Sequence, residues 1–147
     1  GCAMIHAYAD TSVDDPIASV GFVLLRSEQG EEELLETGTR VLNMDSATVP
    51  VCGSHSGEYY AAIVAVRAAL AYTDEPIILH CDCEDVVEQI KHRTWSGNSY
   101  FPHALFSFLG RFEDYHVRIV HRENNAGAHE QARVGLKIGR DIREGTL

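Results

Sequence analysis

Positive charge is scarce in this 147-residue chain. It has two lysines, Lys91 and Lys137, and ten arginines against 22 acidic residues, for a formal net charge of −10. Proteins that hold nucleic acid by neutralising phosphates are ordinarily basic, and so are polybasic membrane-surface proteins. The balance argues against simple forms of both. Long apolar stretches are also missing: none approaches the ~18 residues of a membrane span. The first residues have neither the basic nor the apolar region of a signal peptide. Cysteine is limited to Cys2, Cys52, Cys81 and Cys83. Four at such irregular spacing do not make a secreted disulfide scaffold, so a reducing, cytoplasmic location is expected. No segment repeats and none is of low complexity. An acidic surface nearly free of lysine suits life at high salt, where carboxylates hold water and their repulsion is screened. An acidic partner-facing surface in a mesophile is the other explanation.

What remains is an ordinary globular composition, 45% hydrophobic and 23% charged. The length corresponds to one domain, and such a chain buries ~68–70% of its unfolded surface without help from disulfides or a structural metal. We expect a single domain over residues 1–147, with 1–4 as a leader and 141–147 as a tail, and a monomer.

Residues Ile5 to Asp10 alternate apolar and polar, which is strand periodicity. Ala18 to Arg26 reads as a central strand, Ser27 to Glu32 as a hairpin connection, and Leu34 to Val41 as a third strand. Asn43 to Ser56 is irregular. Gly57 to Tyr72 has helical spacing and many alanines, suited to close packing on a sheet. Pro76 to Cys81 reads as a buried strand, Asp85 to His92 as a helix, Thr94 to Tyr100 as a loop and Pro102 to Glu113 as a helix. Tyr115 to His121 alternates as a strand. Asn125 is a good N-cap for a last helix, Ala126 to Arg140. Three strands joined by turns, then β-α-β alternation, predict an α/β fold: a five-stranded mixed sheet, three strands antiparallel and two added in parallel, with helices on both faces.

Three acids fall at informative places. Asp10 ends the first strand, Glu58 lies in the first turn of the first helix, and Asp82 follows the strand ending at Cys81. Sites in open α/β sheets gather beyond the carboxyl ends of strands. Singly, each acid reads equally as a turn residue, a cap or a reply to the helix dipole. Together they would repel, and a hard divalent cation such as Mg²⁺ or Mn²⁺ relieves that repulsion. A carboxylate cluster of this kind suits two-metal phosphodiester hydrolysis.

The motifs Ala9-Asp10-Thr11-Ser12, Gly57-Glu58-Tyr59-Tyr60-Ala61-Ala62 and His80-Cys81-Asp82-Cys83-Glu84-Asp85-Val86-Val87 resemble the three acidic signatures of type 1 ribonuclease H. Arg122 to Arg133 (RENNAGAHEQAR) is similar to that family's last motif. The resemblance runs from Ile5 to about Arg140. It implies a ribonuclease H-like fold and an endoribonuclease that cuts the RNA strand of RNA–DNA hybrids with two ions, Mg²⁺ or Mn²⁺. Asp10, Glu58 and Asp82 would then be catalytic metal ligands. The family's fourth acidic position falls on His129, as in archaeal and plant-type variants. Imidazole there favours Mn²⁺ over Mg²⁺ as a ligand, or serves as a proton carrier near neutral pH. A polar residue on an exposed helix face is the other reading of His129; Glu130 lies ~100° around the helix. The His-bearing loop of some bacterial members is reduced to Arg122-Glu123-Asn124-Asn125, with His121 the nearest substitute, and their basic handle helix is replaced by the loop carrying Trp95 and Tyr100.

A hybrid is told from DNA by its 2′-hydroxyls. Thr11, Ser12, Asn43, Ser54, Ser56, Asn124 and Asn125 are the candidates to read them. Arg40, Lys91, Arg93, Arg122 and Arg133 are candidates for phosphates, or else solvated surface charges. Other readings use the same residues. Cys52, His55, His80, Cys81 and Cys83 suggest zinc, though C-x-C is poor spacing for it. A binding module without turnover and a superfamily nuclease for double-stranded RNA are the functional alternatives.

Overall fold

The computed structural model of the chain describes residues 3–14, 16–43, 55–94 and 100–146. Strands β1 (Met4–Asp14), β2 (Ile17–Glu28) and β3 (Glu31–Asn43) form an antiparallel meander. The β2–β3 turn is Gln29-Gly30, with φ of 54° and 81°. Positive φ at both central positions matches a two-residue turn to the twist of its strands. Then come α1 (Ser56–Leu70), β4 (Ile77–Cys81), α2 (Glu84–His92), α3 (Tyr100–Leu109), β5 (Tyr115–Ile119), a 3₁₀ turn (Arg122–Asn124) and α4 (Ala126–Glu144). The sheet order is β3-β2-β1-β4-β5, with β4 parallel to both β1 and β5. This is the five-stranded mixed sheet that the sequence predicts.

Alternation along the strands divides the sheet's faces. Ile5, Ala7 and Ala9 of β1, Val20, Phe22 and Leu24 of β2, and Ile77 and Leu79 of β4 are all buried in one core. α1 lies over them and contributes Ala61, Ala62, Ala65, Val66 and Ala69. α3 packs against α1 through Leu105 and Leu109 and through the edge-on contact of Phe101 with Tyr60. α4 covers the opposite face, over β2 and parts of β1 and β3.

The seat of α4 is made of small residues. Its Ala128, Ala132, Gly135 and Gly139 are buried at helical spacing. A side chain on Gly21 of β2 would run into the backbone of α4 at Ala128 and Ala132. Gly135 sits over Ser19 and Thr39, and Gly139 over Ile17 and Val41. The Ser19 hydroxyl donates to the Ala132 carbonyl, a polar bond between sheet and helix at zero exposure.

The structure departs from the sequence expectation at several ends. β1 does not stop at Asp10 but continues to Asp14, because Thr11 to Asp14 pair with Val20 to Ile17. It begins at Met4, and Ala3 is buried, so these two residues are structured rather than leader. α1 stops at Leu70, two residues before Tyr72. α3 begins at Tyr100, which removes that residue from the loop, and ends at Leu109 rather than Glu113. Gly110 follows, and the Glu113 amide donates to the Asp74 carbonyl at 2.7 Å, leading the chain into β5. β5 ends at Ile119, short of His121. α4 runs through residues 141–144, expected as tail, to Gly145, whose φ of 73° closes the helix. Residues 44–54 and 95–99, including Ser54, Cys52 and Trp95, lie outside the described residues. No helix among the described residues is long and apolar enough to cross a membrane.

Gly21→Ala should lower unfolding free energy by about 1–3 kcal/mol, the usual cost of forcing extra volume into a packed interior. Denaturant titration reads it directly; an unchanged midpoint would mean that α4 is not seated on β2 as described.

Candidate active site

The strand register assembles the acidic corner. The parallel ladder of β1 and β4 ends at Ala9↔Cys81, so Asp10 and Asp82 are the next residue of each chain segment, side by side. Their neighbours Ala9 and Cys81 face the core, each 1% exposed, which turns the two acids toward the other side. Glu58 arrives from the first turn of α1, where a carboxylate also answers the helix dipole. Carboxylate oxygens of Asp10, Glu58 and Asp82 all lie within 4.8 Å of one another.

Such proximity has an electrostatic signature. Burial, then the charges of Asp10 and Asp82, push the Glu58 carboxyl up to about 8; Arg122 pulls the other way. The Asp82 carboxyl is also raised, by burial and by Asp10, against the opposing pull of the Asn125 amide and Arg122. Asp10 is 5% exposed. One oxygen of Asp82 is buried without any hydrogen-bond partner. An orphaned carboxylate oxygen inside a group of three acids is the donor set a hard divalent cation takes. The residues therefore fit a hard divalent cation, with oxygen donors from three separate elements.

His129, in the second turn of α4, joins this corner: its Nδ1 lies 2.9 Å from Asp10 Oδ2. Its side chain is 40% exposed and reaches the bulk solvent. Asn125 behaves differently from the expected cap. It stands at the N-cap position of α4, but its side chain makes no cap bond. Instead its amide donates to the Ala9 carbonyl at 3.0 Å, and the residue is 1% exposed. The side chain expected to contact substrate is thus turned inward, toward β1 and Asp82. It pins the start of α4 to β1 one residue before Asp10.

The other candidates spread around the corner. The Thr11 hydroxyl donates to the Ser19 carbonyl at 3.0 Å, leaving its oxygen lone pairs beside Gly57. Ser12 is half-buried further along β1 and Ser56 opens α1, whereas Asn43 ends β3 opposite Ile17, two strands from β1 and away from the three acids. Arg122 and Asn124 are exposed in the 3₁₀ turn, Arg122 near enough to act on both Glu58 and Asp82. His121 is exposed just before that turn, and Glu130 is exposed on α4, within 3.8 Å of Arg133.

The residues of the zinc reading do not converge among the described residues, where the three acids are the one metal-capable group. Cys81 is buried in the core and its thiol is pushed far up by burial. His55 faces Asp85 at 3.5 Å. His80 stacks on Tyr8 with ring centroids 4.3 Å apart and meets His6 at 3.0 Å. Burial, with His6 and Arg118 nearby, pushes the His80 imidazole down to about 4. This Tyr8–His80–His6 group went unseen in the sequence. Its signal was there: His6 and Tyr8 alternate on β1 with core residues, and His80 does so on β4.

The sheet order and the three-acid corner define a ribonuclease H-like protein. The chain belongs to the family described as reverse transcriptase-like, which it matches over residues 8–135. Among solved structures it is similar to RNase H1 from the halophilic archaeon Halobacterium salinarum, with a TM-score of 0.76, 24% identity, and coverage of 92% of this chain and 98% of that one. The N-terminal RNase H domain of a Mycobacterium tuberculosis protein gives a TM-score of 0.73 at 15% identity, covering 90% of this chain and 98% of that one. LC11-RNase H1 in complex with an RNA/DNA hybrid gives 0.69 at 14% identity, covering 91% and 97%. At these identities the likeness is one of fold. No curated protein sequence matches the chain.

A raised carboxyl makes metal-free stability depend on pH. Because the folded state holds the Glu58 proton to about 8, against ~4.3 for a free glutamate, the folded state binds more protons between those values. Stability without metal should therefore fall as pH rises from about 4.5 to about 8. Melting temperatures in EDTA should show that decline, Glu58→Gln should flatten it, and Mg²⁺ should raise the melting temperature more at pH 8 than at pH 6. An EDTA profile flat across this range would remove the strained carboxyl from the account.

Proposed function

We propose that this protein is an endoribonuclease that hydrolyses the RNA strand of RNA–DNA hybrids, with two Mg²⁺ or Mn²⁺ ions held by Asp10, Glu58 and Asp82. The observation carrying this reading is the convergence of those three carboxylates within 4.8 Å, just past the end of the parallel ladder. The ions, when bound, supply Lewis-acid activation of water and neutralisation of charge on the leaving oxygen. The protein's own groups do the rest. Asp10 and Asp82 follow adjacent strands, so their separation is set by sheet spacing. Glu58 closes the third side from a helix buried against the same core.

His129 is the fourth member. With Nδ1 turned to Asp10, it presents Nε2, which has no hydrogen-bond partner among the described residues, to accept or deliver a proton near the scissile phosphate. In this role a positioned base stands where the family has a ligand; an imidazole that ligated an ion instead would favour Mn²⁺ over Mg²⁺. Thr11, Ser12, Ser56 and Asn124, on the elements that carry the corner, would be donors and acceptors for sugar hydroxyls, and Arg122 a phosphate contact; Asn43, on β3, would meet the duplex further out. The hybrid is the favoured substrate because LC11-RNase H1, of the same fold, is described with an RNA/DNA hybrid bound. Double-stranded RNA is the comparison substrate, and the cytoplasm the expected location.

Asp10→Asn and Asp82→Asn should each abolish hybrid cleavage with the fold retained by circular dichroism. Assays on hybrid, double-stranded RNA and duplex DNA, with each metal at low and high KCl, provide the measurement. Undiminished cutting by either variant would refute the site. Binding of hybrid by wild type without cleavage under every condition would favour a module without turnover.

A further inference from the structure

On the sheet face that carries α4, a cavity opens beside the acidic corner. Tyr8 of β1 pairs with Val23 of β2 on one side and His80 of β4 on the other. One face of its ring is covered by His80, stacked with centroids 4.3 Å apart and planes 6° from parallel. His80 in turn stacks on His6 at 5.3 Å, and His6 Nε2 lies 3.1 Å from the Ser27 hydroxyl. The other face of the Tyr8 ring looks toward β2. There Tyr8, Val23 and Leu25 line a cavity of about 200 Å³ with Asn124, Gly127 and Ala128. Gly127 lets α4 begin close over this floor, since a side chain there would meet Val23 Cγ2 at 2.9 Å. In a chain of charge −10, no residue of this lining is charged. Tyr8, Val23 and Leu25 are half-buried and Asn124 is exposed, so the cavity is open to solvent. A flat, uncharged ring suits such a slot, with its face on the tyrosine and its polar edge at the Asn124 carboxamide.

We propose that this cavity receives the base of an unpaired nucleotide next to the scissile phosphate. The inference rests on the reading of the protein as a nuclease. Position decides for a nucleobase over an aromatic side chain of a protein partner. Tyr8 lies two residues before Asp10 on the same face of β1, about 7 Å away along the strand. That is the span of one nucleotide. Asn124 adjoins Asn125, which is bonded to the Ala9 carbonyl, and Ala128 precedes His129, which reaches Asp10. A nucleic-acid strand with a phosphate on the metal corner therefore passes the mouth of the cavity at the next nucleotide. A base inside an intact duplex must first be unstacked and unpaired, whereas an unpaired base has that cost already met. The ring stack holds Tyr8 in place before a ligand arrives, so binding orders little of the protein. The cavity thus selects substrates with a bulge, a mismatch or a single-stranded end at the cut.

The test uses labelled hybrids of about 20 base pairs, one fully paired and one with a single bulged 2-aminopurine ribonucleotide in the RNA strand. Affinity is read by fluorescence anisotropy with Ca²⁺ as the only divalent ion, stacking by quenching of the 2-aminopurine emission, and cleavage separately with Mn²⁺. Wild type should bind the bulged hybrid about tenfold more tightly than the paired one, the scale of one base stacked on an aromatic ring, and quench its emission. Tyr8→Phe keeps the ring and should keep both signals. Tyr8→Leu removes the ring and Leu25→Phe fills the cavity. Each should lose both signals and bind the paired hybrid as wild type does. The two variants alter different strands, so a folding defect in one leaves the other to decide. Equal affinity of wild type for the two hybrids, a preference that survives both substitutions, or equal loss on paired and bulged hybrids would overturn the proposal. Cleavage and anisotropy separate the two ideas. Wild type that cuts the paired hybrid yet shows no preference for the bulge defeats the cavity alone. Wild type that never cuts, while its preference depends on Tyr8 and Leu25, defeats the nuclease reading alone.

Discussion

The close approach of α4 to the sheet is the constraint on which the site depends. A helix normally stands off a sheet by the depth of its side chains. Here Gly21, Ala128 and Ala132 remove that depth, and the helix backbone lies against the β2 backbone. A hydroxyl of Ser19 bonds the helix at Ala132, so the contact is directional as well as tight. His129 lies between those two alanines. Its reach to Asp10 is therefore fixed by how closely the helix can sit, and a helix held one methyl further out would leave the imidazole short of the carboxylate.

The opposite requirement governs the acids. Packing draws Asp10, Glu58 and Asp82 together, and their charges push them apart, as the raised carboxyls of Glu58 and Asp82 record. The fold bears that conflict because each acid is attached to an element with its own reason to be there. β1 and β4 are held by ladder bonds on both sides and by core burial of one face, and α1 by its alanine-rich face. Asn125, buried against the Ala9 carbonyl, ties the helix that carries His129 to the strand that carries Asp10. The site is thus held by interactions that do not involve its own charges.

Much of this was legible in the sequence, for identifiable reasons. Alternation in Ile5 to Asp10 and the apolar run before Asp82 give strands, and their carboxyl ends are where acids meet. The five-stranded mixed sheet, three strands antiparallel and two parallel, followed from the spacing of elements. What could not be read depends on partners far away in sequence. Gly21 and Gly135 look like any glycine until the helix is placed on the sheet. Asn125 has the ordinary preference of an N-cap, and only the tertiary fold turns its amide inward. The end of β1 was misjudged because Thr11 and Ser12 are weakly apolar, and it is pairing with β2 that extends the strand to Asp14.

The free margin of β3 has a further consequence. Its first residues, Glu31, Glu32 and Glu33, stand exposed beside Leu34, which is 61% exposed. An open strand of 13 residues would otherwise be a template for adding a strand from another molecule. Repulsion between glutamates guards that template at low ionic strength and weakens as salt screens it. Under high salt the margin must rely on its bulge at Leu35, opposite Leu24 and Leu25 of β2, which breaks the flat register near the same end of the strand. The acidity of this edge and the irregularity that spoils it are thus two obstacles to strand addition, one electrostatic and one geometric.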